Sequence, residues 1–209
     1  MIPSLEQAAA YAVNRPGQVE AIRQSLYDFL TYAQAGQSSL SFFQVPVGQG
    51  GKTLADTNME AAGSLPNPKR FLLESIEIHF IPLNPISALG ADAAFLNLLD
   101  TWAVGKSGWL NLFIGSKSYL TEAPLMRFPP TNGLLVSSMA DSQTTPAAAL
   151  QTKGDYVRFG GKPYAVDPPI FLEPTQNFNV TLNWPALVTV TVAARIGVVM
   201  NGVLYRNSQ

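Results

Sequence analysis

Apolar and polar residues alternate along the end of the chain. In the stretch FNVTLNW every second side chain is apolar, and the alternation resumes after Pro185 and runs toward Arg206. A period of two is typical of a β-strand that lies with one face on a core. We therefore predict two long strands here, which form a hairpin at the centre of one sheet. In the first strand Asn179, Thr181 and Asn183 should face away from the interior, and the residues that should face it are Phe178, Val180, Leu182 and Trp184.

A second alternating stretch lies in the first half of the chain. In FLLESIEIHFIP, the residues Ile76, Ile78 and Phe80 share one face, and Glu77 and His79 share the other. Further short strands are predicted between the frequent turn residues, since the chain has 16 glycines and 16 prolines. DAAFLNLLDTW has helical spacing instead. The pattern predicts a mainly all-β protein, an antiparallel sandwich or barrel of about eight to ten strands with one or two short inserted helices.

The N-terminal region has a helical pattern. Ser4 can cap a short helix that ends near Val13, and a second helix is predicted to begin at Gln18. We interpret residues 1–36 as an N-terminal helical arm and residues 37–209 as a single domain. The arm either grips a neighbouring molecule or a membrane, or packs on its own domain, and both interpretations stay open. The apolar residues that would make these contacts recur at helical spacing and are Val19, Ile22, Leu26, Phe29 and Leu30.

Two polar stretches are predicted to be loops. GQGGKTLADTNMEAAGSLPNPKR is long and rich in small residues. SSMADSQTTPAAALQTKG, from Ser137 to Gly154, is polar and has no hydrophobic period. We expect this second stretch to be an exposed loop that proteases cut first.

The composition changes the picture, because charged residues make up 13% of the chain against about 25% in an ordinary domain. The hydrophobic fraction is 47% and the mean hydropathy is +0.12. We therefore expect much of the surface to be covered by other subunits or to lie near lipid. No apolar run is long enough for a spanning helix, and the N-terminus lacks the pattern of a signal peptide. A net charge of −1 argues against a specific nucleic-acid-binding surface.

Candidate catalytic residues are few. The chain has no cysteine and a single histidine, His79, which the alternation places on the polar face of a strand. GQGGK, from Gly48 to Lys52, does not match a phosphate-binding loop, and no group of residues has metal-ligand spacing. We expect no enzyme activity, no cofactor and no metal. Three tryptophans could form a sugar-stacking platform, although all three also fit apolar patterns: Trp102, Trp109 and Trp184.

Three segments together resemble jelly-roll capsid proteins of small tailless icosahedral bacteriophages. They are DTNMEAAGSLPNPKRFLLESIEIHF, LFIGSKSYLTEAPLMRFPP and FLEPTQNFNVTLNWPALVTVTVAARIGVVMNGVLYR. The resemblance rests on the order and texture of these segments and extends from about Gln37 to the end of the chain. It implies an upright jelly roll, which we take as one per chain, in a shell often built around an internal membrane.

The resemblance therefore implies a structural virion protein. It would be a major capsid subunit that is made in the host cytoplasm and self-assembles into an icosahedral shell. Its partners would be further copies of the chain, other capsid or spike proteins, and an internal membrane. The low content of charged residues agrees with this role, because a shell covers most of each subunit's flanks and obligate interfaces are apolar. The alternatives are a carbohydrate- or receptor-binding jelly-roll module, spike or lectin-like, and a β-sandwich hydrolase with an unrecognised carboxylate pair.

Overall fold

The computed structural model of the chain describes residues 19–82, 92–131, 134–143, 150–159 and 161–207. This part contains eleven strands, one α-helix and a 3-10 helix at Leu125–Arg127. In chain order the other elements are β1 (Val19–Arg23), β2 (Leu26–Tyr32), β3 (Ser39–Phe42), β4 (Arg70–Pro82), α1 (Asp92–Ser107), β5 (Trp109–Ile114), β6 (Lys117–Glu122), β7 (Leu134–Gln143), β8 (Leu150–Phe159), β9 (Tyr164–Leu172), β10 (Phe178–Asn183) and β11 (Ala194–Asn207).

The larger sheet has five antiparallel strands in the order β1-β11-β4-β9, with β2 also paired to β11. Strands β1 and β2 follow one another along the same edge of β11, β1 beside residues 203–207 and β2 beside residues 194–200. A bulge lies at Asn201/Gly202. Residue 202 has to be glycine, because a Cβ there would lie 1.9 Å from the carbonyl oxygen of Leu72.

The smaller sheet has four antiparallel strands in the order β3-β10-β5-β6. The chain therefore changes sheet at each step from β2 to β5 and again at each step from β9 to β11. Between β6 and β9 it forms the hairpin β7–β8, whose strands pair with each other.

The core lies between the two sheets. Both contribute inward side chains with almost no exposed surface, and one continuous apolar cluster joins them. These side chains include Phe71, Leu73 and Ile76 from the larger sheet and Leu110, Leu112, Val180 and Leu182 from the smaller one. The predicted all-β antiparallel sandwich with an inserted helix is confirmed.

The predicted helix that begins at Gln18 is wrong. Its described part forms β1 and β2, which hydrogen-bond to β11. In β2 the inward positions are Leu26, Asp28, Leu30 and Tyr32, and the charged residue among them hides the period of two. Because strand pairing with β11 satisfies every second backbone group, tertiary structure overrides the helical spacing. The shorter helix predicted before Val13 lies outside the described residues.

Two further expectations are corrected. The stretch Ser137–Gly154 belongs largely to the strands β7 and β8 rather than to a loop. Polar strands leave no hydrophobic period in the sequence when they pair mainly with each other. The last two long strands, which we expected in one sheet, lie in different sheets, since β10 belongs to the smaller sheet and β11 to the larger.

Candidate functional site

The outer face of the four-stranded sheet carries no charged side chain among its described residues. Directly opposed residues of antiparallel strands lie on the same face, and in one row across the sheet Ser41 opposes Thr181, Thr181 opposes Asn111, and Asn111 opposes Thr121. We call this surface the neutral face. It consists of Ser39, Ser41, Trp109, Asn111, Phe113, Ser118, Thr121, Asn179, Thr181 and Asn183.

Hydroxyl and amide groups dominate the neutral face. The Ser39 hydroxyl donates to the Asn183 Oδ1 over 2.8 Å, and the Asn183 Nδ2 donates to the Thr181 Oγ1 over 3.1 Å. The side-chain oxygens of Asn111 and Asn179 are buried and accept no hydrogen bond from the described residues. Such groups can both donate and accept, so the face can meet another neutral polar surface without desolvating a charge.

The inner side of β10 and the residue after it form part of the core. Phe178, Val180, Leu182 and Trp184 are 0–3% exposed. The Trp184 Nε1 donates to the carbonyl oxygen of Val104 in α1 over 3.0 Å, which satisfies its polar atom inside the core. The two sides of β10 therefore have separate roles, one in the core and one at the surface.

The outer face of the larger sheet is different, because a buried carboxylate lies on it. Glu77 is 6% exposed and accepts four hydrogen bonds. Thr131 donates its hydroxyl over 2.6 Å and its backbone N–H over 3.0 Å, the Asn201 Nδ2 lies at 2.7 Å, and the His79 Nε2 lies at 3.0 Å. These bonds connect β4, β11 and the segment that leads to β7.

Burial raises the pKa of Glu77, but the hydrogen bonds from Thr131, Asn201 and His79 outweigh burial, so that the pKa lies below its ordinary value. The carboxylate is therefore ionised and both of its oxygens are fully engaged. A general base needs a free lone pair within reach of a substrate proton. Glu77 has no free lone pair, so we assign its carboxylate a structural role, the connection of β4, β11 and the segment that leads to β7.

His79 lies on the polar face of β4, the position that the alternation predicts. Its ring stands edge-on to Phe29 with the ring centroids 6.2 Å apart. The Arg195 guanidinium lies 4.5 Å from the centroid of the same phenyl ring and forms an ion pair with Asp56 at 2.9 Å. The phenyl ring covers the backbone at Gly197, where a Cβ would lie 2.2 Å from it.

The structure does not bring the five predicted arm residues together on one surface. Leu26 and Leu30 pack in or against the core, while Phe29 lies on the outer face. Val19 belongs to a separate small apolar cluster on the outer face with Leu72, Phe171, Val203 and Tyr205. Ile22 is half-buried opposite Leu204.

A buried ion pair, which the sequence reasoning missed, holds the long loop after β3. Asp28 is 0% exposed, pairs with the Lys52 ammonium and accepts a hydrogen bond from the Phe43 backbone N–H over 2.6 Å. The lysine of GQGGK is thus committed to a structural contact rather than to a phosphate. The signal in the sequence was an aspartate at an inward position of an alternating strand.

An apolar cleft of about 260 Å³ lies beside α1. We call it the α1 cleft; it is bounded by α1, the 3-10 helix and β4 and β11. Its lining residues are Ile78, Phe80, Thr101, Trp102, Val104, Gly105, Leu125, Met126, Phe128, Pro129, Pro130 and Ile196.

The three tryptophans lie in three different environments. Trp184 is in the core, Trp109 is half-buried on the neutral face, and Trp102 is 52% exposed at the rim of the α1 cleft. They do not form one sugar-stacking platform.

Within the described ranges, no three His, Asp or Glu side chains are grouped closely enough to hold a metal ion. None of the helices in those ranges has the length and apolar character needed to cross a membrane. No protein-family model matches the chain, and no curated protein matches it either.

Proposed function

We propose that the chain is a structural virion protein, the major capsid subunit that self-assembles into an icosahedral shell. The observation that carries this proposal is the neutral face. Charged side chains on exposed faces normally prevent soluble proteins from associating with one another. The outer faces of both sheets could carry such side chains. Among the described residues, only the larger sheet has charged side chains on its outer face, in pairs such as Arg195–Asp56 and Arg23–Glu74. A sheet face without charge can form a repeated contact with a neighbour without the cost of burying a charge.

The size of the neutral face favours a lattice contact over a tight dimer. Four strands about five residues long cover on the order of 300 Å² in plan. A standard stable interface needs about 800 Å² from each partner. The face alone would hold two molecules weakly, and several such contacts per subunit would be needed for a stable assembly.

The strand order supports the jelly-roll part of the proposal. Because β1 and β2 share one edge of β11, the sandwich has four strand positions in each sheet. Eight positions in two sheets, with the chain crossing repeatedly between them, is the jelly-roll pattern. In this reading the hairpin β7–β8 is an insertion between two of the eight positions.

The mass of the native particle tests the proposal. The full chain should assemble into particles of megadalton mass, measured by light scattering and analytical ultracentrifugation. A stable monomer or trimer would contradict the shell and would favour the carbohydrate- or receptor-binding module instead.

A charge placed on the neutral face tests the surface itself. Thr181→Lys and Thr181→Glu should each abolish particles, because either charge would be buried without a partner at the contact. The matched control for Thr181→Glu is Thr31→Glu, which places the same negative charge on the exposed outer face of the larger sheet. It should fold and assemble like the wild type. Normal particle yield from both Thr181 variants would show that the neutral face is not a contact in the assembly.

A further inference from the structure

The α1 cleft reaches from the surface into the core of the sandwich. Its deep end is formed by Ile78, Phe128 and Ile196, which are 0–9% exposed and belong to the main apolar cluster. Its rim is formed by Trp102 and Met126, which are 52% and 43% exposed. The cleft therefore has an apolar interior and an open, half-exposed mouth.

Apart from the Trp102 indole at the exposed rim, the side chains that line the α1 cleft offer no free hydrogen-bonding group. The only hydroxyl is that of Thr101, which donates to the carbonyl oxygen of Asn97 within α1 over 2.8 Å. The Trp184 indole nearby is satisfied by Val104. A sugar or a nucleotide would lose its hydration in this cleft without gaining partners, so the occupant has to be apolar where it is enclosed.

The volume limits the size of the occupant. An apolar cavity of about 150 Å³ accepts benzene, and drug-sized ligands need about 300–1,000 Å³. The cleft, at about 260 Å³, lies between these. Met126 at the rim is a flexible thioether that can adapt to a chain of variable length, and Trp102 is suited to the boundary between an apolar site and water.

We propose that the α1 cleft binds one alkyl chain of an amphiphile, with the hydrocarbon enclosed against β4 and β11 and the polar end left in solvent between Trp102 and Met126. This inference is independent of the shell proposal. The same alkyl chemistry is found in free fatty acids and in the tails of membrane lipids, and the experiment separates the two sources.

The experiment titrates the full chain with decanoate below its micellar concentration, followed by Trp fluorescence and calorimetry. Saturable binding of one decanoate per chain is expected. Gly105→Leu should weaken it at least tenfold, because a side chain at this position fills the cleft and its Cβ meets only the flexible Met126 side chain, at 2.9 Å. Met126→Asp at the exposed rim gives a second variant that does not depend on repacking, and it should also weaken binding.

Leu187→Ser is the control, because Leu187 is 63% exposed and does not line the cleft. It should bind decanoate like the wild type. In a parallel arm the proteins are floated with phosphatidylcholine vesicles. Decanoate binding that both cleft variants weaken supports a free single-chain ligand. Vesicle binding with the same variant dependence, in the absence of decanoate binding, supports a membrane-lipid tail. The proposal is overturned if neither ligand binds saturably, or if folded Met126→Asp binds like the wild type.

Discussion

Leu182 and its neighbour Thr181 in β10 have opposite surroundings. Leu182 is 0% exposed in the core, whereas Thr181 lies on the neutral face. Leu182→Ala should lower the free energy of unfolding by about 2–5 kcal/mol, the usual range for truncating a buried leucine. Thr181→Ala should change it by less than about 0.5 kcal/mol. Denaturant titration of the unassembled subunit measures both, and equal effects would mean that the register of β10 is wrong.

Glu77 provides a prediction about pH. Since its pKa is lowered in the folded protein, the ionised carboxylate contributes stability that is present above its ordinary pKa and is lost as the pH falls through the folded value. Glu77→Gln should cost about 1.5–3 kcal/mol at neutral pH, because hydrogen bonds to a charged group are lost. Below about pH 4 the difference between the two proteins should shrink. A difference in unfolding free energy that stays constant from pH 7 into acid would contradict this assignment.

At the scale of elements, the Asp28–Lys52 pair ties the long loop after β3 to β2. Lys52→Met should lower the free energy of unfolding by about 3–5 kcal/mol, because it leaves a buried carboxylate without its counter-charge. Adding Asp28→Asn should restore part of the loss, since the amide oxygen can still accept from the Phe43 N–H. Lys117→Met, at an exposed position at the start of β6, is the control and should be close to neutral. If the double variant is no more stable than Lys52→Met, the buried charge is not what makes the single change costly.

The free edges of the sheets also show how the elements limit unwanted pairing. Strand β9, at one edge of the larger sheet, contains Pro168 and Pro169, which have no backbone N–H to offer. Strand β6, at one edge of the smaller sheet, has a register irregularity at the Leu112/Phe113 step of its pairing with β5. Both features disfavour sheet extension by a second molecule. At these two edges, pairing with a strand of another molecule is therefore disfavoured.

At the scale of the whole molecule, the proposed assembly should depend little on salt. Ionic strength screens contacts between exposed charges, and the Debye length falls from about 10 Å at 0.1 M to about 3 Å at 1 M. The neutral face has no charges to screen. Particle yield, measured by sedimentation, should therefore be similar at about 0.1 M and about 1 M sodium chloride. Dissociation at high salt would show that charged surfaces, rather than the neutral face, hold the subunits together.

The sequence by itself determined the elements whose alternation is not interrupted. The strand Trp109–Ile114 and the inward and outward faces of β4 and β10 follow from the period of two, because a buried side requires an apolar residue at every second position. The helix α1 follows in the same way from its helical spacing. The absence of charge on the neutral face was also readable, since Asn179, Thr181 and Asn183 stand between apolar neighbours in the chain.

Tertiary structure alone decided the rest. The sequence predicts a helix for β1 and β2 because Asp28 occupies an inward position and interrupts the period of two. The burial of Asp28 is tolerated because it pairs with Lys52, which is distant in sequence. The polar stretch of the hairpin β7–β8 was predicted to be a loop because it has no hydrophobic period, whereas its strands form by pairing with each other. The separation of β10 and β11 into two sheets, the four bonds to Glu77 and the α1 cleft all arise from contacts between residues far apart in the chain. Local periodicity reports which face of an element is buried, and it holds no information about which partner buries it.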